Sequence, residues 1–489
     1  MKYDTRIRRA GLNGIFHILK ADARLSRRIR RNLEVVVVCL AAWTAAGPAQ
    51  AQDMSQYAFL WQQAGDAVED YVPEPMPDGF GVQIAELEGP VFTNADGMTL
   101  YTWPLHGLRN GDVGDRKGAP SSCTDQVQTE NSGLMSPYPP GLLLPDLENR
   151  PACTDVWPPV LAPEGAEPVG KWTIIERKDG GRQWAYDGFP VYTSILDKRP
   201  GDVYGGTKRR TGGDGPATRK PIGPAPNVPP EFAVVQVANG RMITDHTGYS
   251  VYASDADAPN TSNCDGPCLE EWKPVLAAET AVPSGEWSVF ERAPGVKQWA
   301  FRGEPLYTYV NDPSARGAVG SDMPGWHNVY TQKAPAPPSE FTIQSTRTGL
   351  VLADSRGKTV YLYRCGDDAL DQLYCDHPNT TQVYRMAVCG GGDPEVCLKT
   401  FPPVLAPGEV ETGNRLWGTK YIDPLTGHEI EFGAEGGVNV WTYRDRPIYT
   451  YAGDKTPGDI NADNWGEFNS LRNGFKAFWL RDDFYSNNL

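Results

Sequence analysis

The stretch WPPVL at residues 157–161 decides the fold, because related phrases occur twice more in this chain of 489 residues. Each copy precedes an aromatic segment, a turn and a Pro-apolar-Tyr segment: WPPVL (157–161) with QWAYDGFPVY (183–192), WKPVL (272–276) with QWAFRGEPLY (298–307), and FPPVL (401–405) with VWTYRDRPIY (440–449). The first two copies keep one spacing, since Trp157 to Trp272 and Tyr192 to Tyr307 both span 115 residues. Repetition at this length indicates tandem modules, so function has to be sought in the module.

Between these phrases the sequence consists of short segments typical of β-strands. FAVVQV (232–237), YSVY (249–252) and WSVF (287–290) are rich in β-branched and aromatic residues and are bounded by Gly, Pro, Asn or Asp. We therefore predict an all-β protein of three tandem, disulfide-tied modules. Each module also has an internal symmetry, because GMTLYTW (97–103) resembles GFPVYTS (188–194). The alternative is that the six half-modules close into one propeller-like ring.

The expected organisation has seven parts. They are a signal peptide (1–51), an N-terminal helical segment (52–80), module 1 (81–208), a Pro/Gly-rich linker (209–230), module 2 (231–332), a Pro-rich linker (333–339) and module 3 (340–489). The one short helix is predicted within 55–70, where apolar residues follow a loosely helical spacing. Pro-rich linkers are semi-rigid, so we expect them to hold the modules apart.

Residues 1–51 have the features of an export signal. Eight Arg and two Lys against three acidic residues flank a twelve-residue apolar run at 35–46, and AQA follows at 49–51. This pattern predicts cleavage after Ala51 and a periplasmic or extracellular protein. The run is shorter than the roughly twenty residues that span a membrane, so no transmembrane segment is expected in the mature chain. Cleavage changes the formal charge from −15 to −22, which disfavours nucleic acid and anionic lipid as partners.

The eight cysteines that remain after cleavage indicate disulfides, because an exported chain meets an oxidising environment. One cysteine stands just before each of the three Pro-containing phrases, and each of these has a cysteine upstream. Alignment of the repeats therefore predicts four pairs: Cys123 with Cys153, Cys264 with Cys268, Cys389 with Cys397, and, inside an insertion of module 3, Cys365 with Cys375.

Two sets of residues are candidate metal ligands. Cys264 and Cys268 could bind copper as thiolates if histidine and methionine completed the site, although a site of the purple type needs a histidine where Trp272 stands. Aspartates of two Pro-Gly turns could bind Ca²⁺ or could cap the turn amides instead: Asp197 and Asp202 in module 1, and Asp454 and Asp459 in module 3. The five histidines of the mature chain share no repeat position: His106, His246, His327, His377 and His428. We predict no cofactor.

The repeated aromatic residues form a stripe on one strand face. Alternation places Trp184 and Tyr186 on the same side of one strand, and Trp299 and Phe301 on the same side of its repeat. We expect this stripe to be core, the alternative being a stacking platform for a flat ligand. The sequence has no nucleophile elbow, no zinc-protease motif and no phosphate loop, so it does not indicate an enzyme.

The order of the motifs resembles the bacterial secreted repeat of unknown function, also described as a predicted lipoprotein repeat with a Tyr-x-aromatic-x-x-Asp motif. The resemblance rests on Gly-x-x-Leu/Val-Tyr, paired cysteines before Trp-Pro-Pro, Gln-aromatic-x-aromatic-x-Gly-x-Pro-Leu-Tyr and Asp-x-x-Pro-Gly-Asp, and it covers 81–480 in three copies. It implies an exported, β-rich module and brings no catalytic residue with it.

We therefore expect a non-enzymatic binding or structural protein of the bacterial cell envelope, which acts on an envelope polymer or a protein partner. The alternative is a periplasmic metal-binding or electron-transfer accessory protein that uses Cys264 and Cys268.

Overall fold

Short strands dominate the chain, as the aromatic and β-branched segments predict. The computed structural model describes residues 54–104, 114–127, 151–205, 220–313, 315, 317–347, 349–364, 382–466 and 473–480. The predicted signal peptide and the predicted pair Cys365–Cys375 lie outside these residues, as do most of the insertions at 124–150 in module 1 and 366–388 in module 3. The described strands form seven open sheets, so the protein is all-β with repeated modules.

Module 1 contains seven described strands and one short helix. They are β1 (Gly81–Ala85), β2 (Gly89–Thr93), β3 (Tyr101–Thr102), α1 (Cys153–Val156), β4 (Trp172–Glu176), β5 (Arg182–Tyr186), β6 (Phe189–Tyr192) and β7 (Lys220–Pro221). β1 and β2 form a hairpin, and the other five strands form a sheet in the order β4-β5-β6-β3-β7. β7 was expected in the linker, but it pairs with β3 as an edge strand, a position that tolerates a proline.

Module 2 distributes ten strands over three sheets. They are β8 (Phe232–Val237), β9 (Gly240–Asp245), β10 (Tyr252–Ser254), β11 (Trp272–Pro274), β12 (Trp287–Ala293), β13 (Val296–Phe301), β14 (Glu304–Pro305), β15 (Tyr307–Tyr309), β16 (Trp326–Asn328) and β17 (Tyr330–Lys333). The sheets have the orders β17-β9-β8, β12-β13-β14 and β11-β15-β10-β16. Helix α2 (Cys268–Glu271) precedes β11, and a 3₁₀ helix (Val319–Asp322) precedes β16.

Module 3 repeats the hairpin and the larger sheet of module 1. Its elements are β18 (Thr342–Thr346), β19 (Gly349–Ala353), β20 (Tyr361–Arg364), α3 (Val383–Gly390), α4 (Pro394–Thr400), β21 (Trp417–Ile422), β22 (Val438–Tyr443), β23 (Arg446–Tyr449), β24 (Trp465–Gly466) and β25 (Gly474–Ala477). The large sheet has the order β21-β22-β23-β20-β25-β24. α4 begins where the Asp393 side chain accepts hydrogen bonds from the amides of Glu395 and Val396, which have no partner within the helix. Among the residues that the structure describes, no helix is long and apolar enough to cross a membrane.

The WPPVL phrase lies in a fork between two strands. In module 1 the amide of Trp184 donates to the carbonyl of Val160, and the amide of Val160 donates to the carbonyl of Val191, both at 2.9 Å. Val275 and Val404 make the same two bonds in modules 2 and 3. The two strands of the hairpin pair directly only near their turn, and further from the turn the main chain of the phrase bonds to both of them. The phrase therefore recurs with each hairpin.

The N-terminal segment is helical for a shorter stretch than predicted. A 3₁₀ helix ends at Leu60, and the chain then follows the modules without regular structure. Its backbone bonds reach other parts of the protein, from the amide of Gln62 to the carbonyl of Ala334 and from the amide of Val72 to the carbonyl of Ala225. Prolines at 73, 75 and 77 lack the amides that a continuing helix would need.

The three modules pack against one another instead of standing apart. One apolar cluster contains Trp61 of the N-terminal segment, Leu87 of module 1, Ala238 of module 2 and Trp417 of module 3. Ala334, which we expected in a solvated linker, is fully buried in the same cluster. Burial of apolar surface from each module stabilises this arrangement, and residues 51–489 form one compact unit.

Candidate functional site

The most regular polar feature of the described residues is a pair of buried tyrosines in every module. The two tyrosines lie directly opposite each other on adjacent antiparallel strands: Tyr101 and Tyr192, Tyr252 and Tyr307, and Tyr361 and Tyr449. None of the six is more than 4% exposed. Side chains directly opposite in a sheet are neighbours, so each module concentrates two phenol groups in its interior.

Module 2 shows how these phenols are satisfied. Asp257 follows Tyr252 by five residues, and Asp312 follows Tyr307 by five residues. Each carboxylate accepts a hydrogen bond from the tyrosine of the other half: Tyr252 donates to Asp312 at 2.7 Å, and Tyr307 donates to Asp257 at 2.6 Å. This exchange of partners holds the two half-modules of module 2 together.

Modules 1 and 3 keep one of the two bonds unchanged. Tyr101 donates to Asp197, and Tyr361 donates to Asp454, both at 2.7 Å. In module 1 the other carboxylate oxygen of Asp197 accepts from the amide of Tyr204 at 2.8 Å. The aspartate five residues after the second tyrosine of each module therefore has the same role three times, which is to accept from the tyrosine of the preceding half-module.

The second tyrosine of modules 1 and 3 has other neighbours. Tyr192 donates to Asp115 at 2.6 Å and lies 2.6 Å from the hydroxyl of Ser121. The guanidinium of Arg385 lies over the ring of Tyr449, 5.5 Å from its centre. Among the described residues, the full exchange is seen in module 2.

Burial sets the protonation of these pairs. It raises the pKa of Tyr252 and of Tyr361, and the adjacent carboxylates raise both further, so the proton stays on the phenol. Burial also raises the pKa of Asp197 to about 7, against hydrogen bonds from Tyr101 and the amide of Tyr204 that lower it. A phenol that donates to a carboxylate in a closed interior acts as a structural clamp, since substrate has no access to it.

Of the four aspartates proposed as calcium ligands, two cap their own turns. The other two, Asp197 and Asp454, accept from the tyrosines described above. One oxygen of Asp459 accepts from the amides of Lys455 and Thr456 at 2.8 and 2.9 Å, and these bonds lower its pKa. Asp202 accepts from two turn amides in the same way. Among the described residues, no group of three or more His, Cys, Asp or Glu side chains is arranged to hold a metal. This geometry favours the turn-capping alternative.

Three disulfides lie beside these tyrosine pairs. They join Cys123 to Cys153, Cys264 to Cys268, and Cys389 to Cys397, the pairs expected from the repeat alignment. As a disulfide, Cys264 and Cys268 offer no thiolate to copper.

One histidine makes contacts that the sequence analysis missed. His327 lies between two carboxylates, with Nδ1 2.9 Å from Asp255 and Nε2 3.2 Å from Glu304. Burial lowers its pKa, but the two carboxylates outweigh burial and the net pKa is raised. The other histidines are either exposed (His246, His428) or outside the described residues (His17, His106, His377).

The aromatic stripe is core. Trp184, Trp299 and Trp441 are at most 4% exposed, and Trp299 packs edge-on against Phe232 with ring centres 5.8 Å apart. The stripe is therefore not available as a stacking platform.

A different repeated residue is exposed. The leucine that ends each phrase is 59% exposed at Leu161, 56% at Leu276 and 64% at Leu405. The sequence did not indicate this, because a leucine after Val in an apolar phrase resembles a core residue. The leucine is exposed because the valine before it occupies the position between the two strands.

These features define a disulfide-tied β-repeat whose half-modules are joined by Tyr–Asp hydrogen bonds. Three segments match the family model described as a secreted repeat of unknown function, at residues 173–208, 233–276 and 433–471. One match falls in each module, so the chain carries three copies of that repeat, as the resemblance predicts. The description fits an exported protein. No curated protein and no solved structure gives a significant match.

Proposed function

We propose that the protein is an exported, non-enzymatic binding protein of the cell envelope, located in the periplasm or outside the cell. Its three modules offer equivalent contact points to a repeating envelope polymer. The observation that carries this proposal is the exposure of Leu161, Leu276 and Leu405 at one repeat position.

Exposed leucine has a measurable cost. Leaving such a side chain in water forgoes roughly 1.5 to 3 kcal/mol of burial free energy. A single exposed leucine needs no explanation, but the same position is exposed in all three modules, while the paired tyrosines and the tryptophans of the aromatic stripe are buried. A common external contact accounts for this difference between the leucines and the other repeated residues.

Three like sites in one chain suit a ligand that also repeats. Once one module is bound, the next binding event is intramolecular and takes place at a high effective concentration. The formal charge of −22 expected for the mature chain opposes binding to an anionic polymer, and peptidoglycan carries carboxylates. The proposed contact is therefore the apolar one made by the leucines, and binding is measured in salt that screens the repulsion. Purified peptidoglycan sacculi are the probe that we would use first.

Co-sedimentation of the full mature chain with sacculi tests the proposal. We compare the parent, Leu276→Ser, and the triple variant Leu161→Ser, Leu276→Ser, Leu405→Ser. If the sites act together, the single change weakens binding modestly and the triple change weakens it by at least about 100-fold. Substitutions at such exposed positions should change stability by less than about 0.5 kcal/mol.

The matched control is Val282→Ser, because Val282 is 78% exposed in module 2 but does not occupy the repeated position. It should bind as the parent does. If the parent does not bind sacculi, the proposal of a polymer ligand is refuted and a protein partner remains. If the triple variant binds like the parent, the leucines have no role in binding.

The second candidate is a metal-binding or electron-transfer accessory that uses Cys264 and Cys268. It requires both side chains as thiolates, whereas they are joined in a disulfide. Metal analysis of the reduced protein, beside a Cys264→Ser, Cys268→Ser variant, tests it: equal metal content in both would exclude these ligands.

A further inference from the structure

The disulfide of module 2 differs from the other described disulfides in its exposure. The four described half-cystines of modules 1 and 3 are at most 5% exposed: Cys123, Cys153, Cys389 and Cys397. Cys264 is likewise buried, but Cys268 is partly exposed. Thiol–disulfide exchange requires direct approach of a thiolate to one sulfur, so access alone singles out Cys268 among the described half-cystines.

The approach to Cys268 is open. Only the exposed residues 265–267 separate the two cysteines. At Gly266 an added Cβ would meet no atom within 4 Å, so nothing in the described structure covers this side of the loop. The core beside it is held by aromatic packing, since Trp272 and Trp326 stack with ring centres 3.7 Å apart. These aromatic contacts do not involve the disulfide, so they can persist when it opens.

The two sulfurs also differ as leaving groups. Arg292 donates from one guanidinium nitrogen to the carbonyl of Cys264 at 2.8 Å and from another to Gln298 at 2.9 Å. The cation is thus held at the main chain of Cys264, where it favours a thiolate on this residue over one on Cys268. Attack at Cys268 with departure of Cys264 is thus favoured by both access and charge.

We propose that Cys264–Cys268 is a thiol–disulfide exchange site for neutral or cationic thiols. The incoming thiolate forms a bond to the sulfur of Cys268, the Cys264–Cys268 bond breaks, and its electron pair leaves on Cys264 as a thiolate. A second thiol then attacks the mixed disulfide, which yields the oxidised thiol pair and two protein thiols. Two electrons pass from the thiols to the protein in each complete exchange.

The selectivity comes from the charges around the loop. Residues 265–273 contain one exposed cation, Lys273, against three exposed acids, which leaves a net charge of −2. The acids next to the disulfide are Asp265, Glu270 and Glu271. They repel an anionic thiol and attract a cationic one, and salt screens this difference because the charges are in solvent.

The experiment uses the full mature chain with cysteamine as the cationic thiol and mercaptoethanesulfonate as the anionic thiol. Exchange is stopped with acid at intervals, and the adduct is located by peptide mass spectrometry. We expect the first adduct on Cys268, with Cys264 free and the other disulfides intact. The rate of each thiol is divided by its rate with a small neutral disulfide. On this scale cysteamine should react at least about fivefold faster than mercaptoethanesulfonate at low salt, and the difference should shrink at high salt.

A variant tests the asymmetry without changing either cysteine. Arg292→Gln should slow the first exchange by about tenfold, because the departing thiolate of Cys264 loses its cation. Lys297→Gln is the control, since Lys297 is an exposed cation on the same hairpin. Adducts that appear first on Cys264 or on another disulfide, an Arg292→Gln rate equal to that of the parent, or equal normalised rates for the two thiols at low salt would each overturn the proposal.

Discussion

Replacement of Tyr252 by Phe tests the bond that joins the halves of module 2. The Tyr252 side chain is fully buried, and its hydroxyl donates to Asp312 at 2.7 Å. Phe keeps the ring but removes the donor, so the carboxylate of Asp312 remains in a buried site with one hydrogen bond fewer. A hydrogen bond to a charged group contributes about 1.5 to 3 kcal/mol, and a buried charge that loses its partner costs more. We therefore expect Tyr252→Phe to lower the free energy of unfolding by about 2 to 4 kcal/mol.

A double-mutant cycle with Asp312→Asn isolates the pair from the effects of each side chain alone. Because Tyr252 and Asp312 are in direct contact, their coupling free energy should be about 1 to 3 kcal/mol. Urea unfolding of the full mature chain is followed by tryptophan fluorescence and by circular dichroism, since coincidence of two probes is the test of two-state unfolding.

The matched control is Tyr249→Phe, because Tyr249 is 39% exposed and lies near Tyr252 in the chain. It should change stability by less than about 0.5 kcal/mol. If Tyr252→Phe is as stable as this control, or if the cycle gives no coupling, the Tyr–Asp bond does not hold the half-modules together.

Four further predictions follow from the structure and the sequence. Trp299→Ala should cost about 3 to 5 kcal/mol in urea unfolding, because Trp299 is fully buried; a parent-like midpoint would contradict its place in the core. Since burial raises the pKa of Asp197 from 3.8 to about 7, the parent should gain stability as the pH falls through 7, whereas Asp197→Asn should lack that gain; parallel curves of stability against pH would refute this. The pKa of His327 is also raised, so its ion pairs stabilise the protein below pH 6.5 and this stabilisation is lost as the pH rises. In urea unfolding, His327→Gln should lower the free energy of unfolding by at most about 1 kcal/mol below pH 6.5 and should not change it at high pH. N-terminal sequencing of the exported protein should begin at Gln52, and retention of the basic segment would exclude the predicted cleavage.

Much of the module could be predicted from the sequence because its signals are local. Alternation of β-branched and aromatic residues predicts the strands, and a strand pattern such as QWAF places Trp299 and Phe301 on one side wherever the strand lies. Both proved to be core residues. The repeats supplied a second constraint, because equivalent positions such as Cys153 and Cys268 must serve equivalent places in the fold. That constraint led to the disulfide pairs of all three modules.

The hydrogen-bond partner of each tyrosine could not be predicted from the sequence in this way. Asp257 follows Tyr252 in the chain, yet it accepts its bond from Tyr307, because the antiparallel pairing of β10 and β15 brings the two tyrosines together. The repeated spacing of five residues was the available signal, but spacing alone does not indicate an exchange between half-modules.

The sequence by itself thus determined the strands, the threefold repeat and the composition of each core, since these depend on the order of residue types within short stretches. The tertiary structure decided three things that depend on where distant segments meet. The Pro-rich segment at 333–339, which its composition assigned to solvent, contributes Ala334 to a shared core. The leucines that end the repeated phrases, such as Leu276, are exposed. Among the described half-cystines, only Cys268 is accessible. The physical reason is that burial and accessibility are properties of packed surfaces, and a surface forms only when residues far apart in the chain come together.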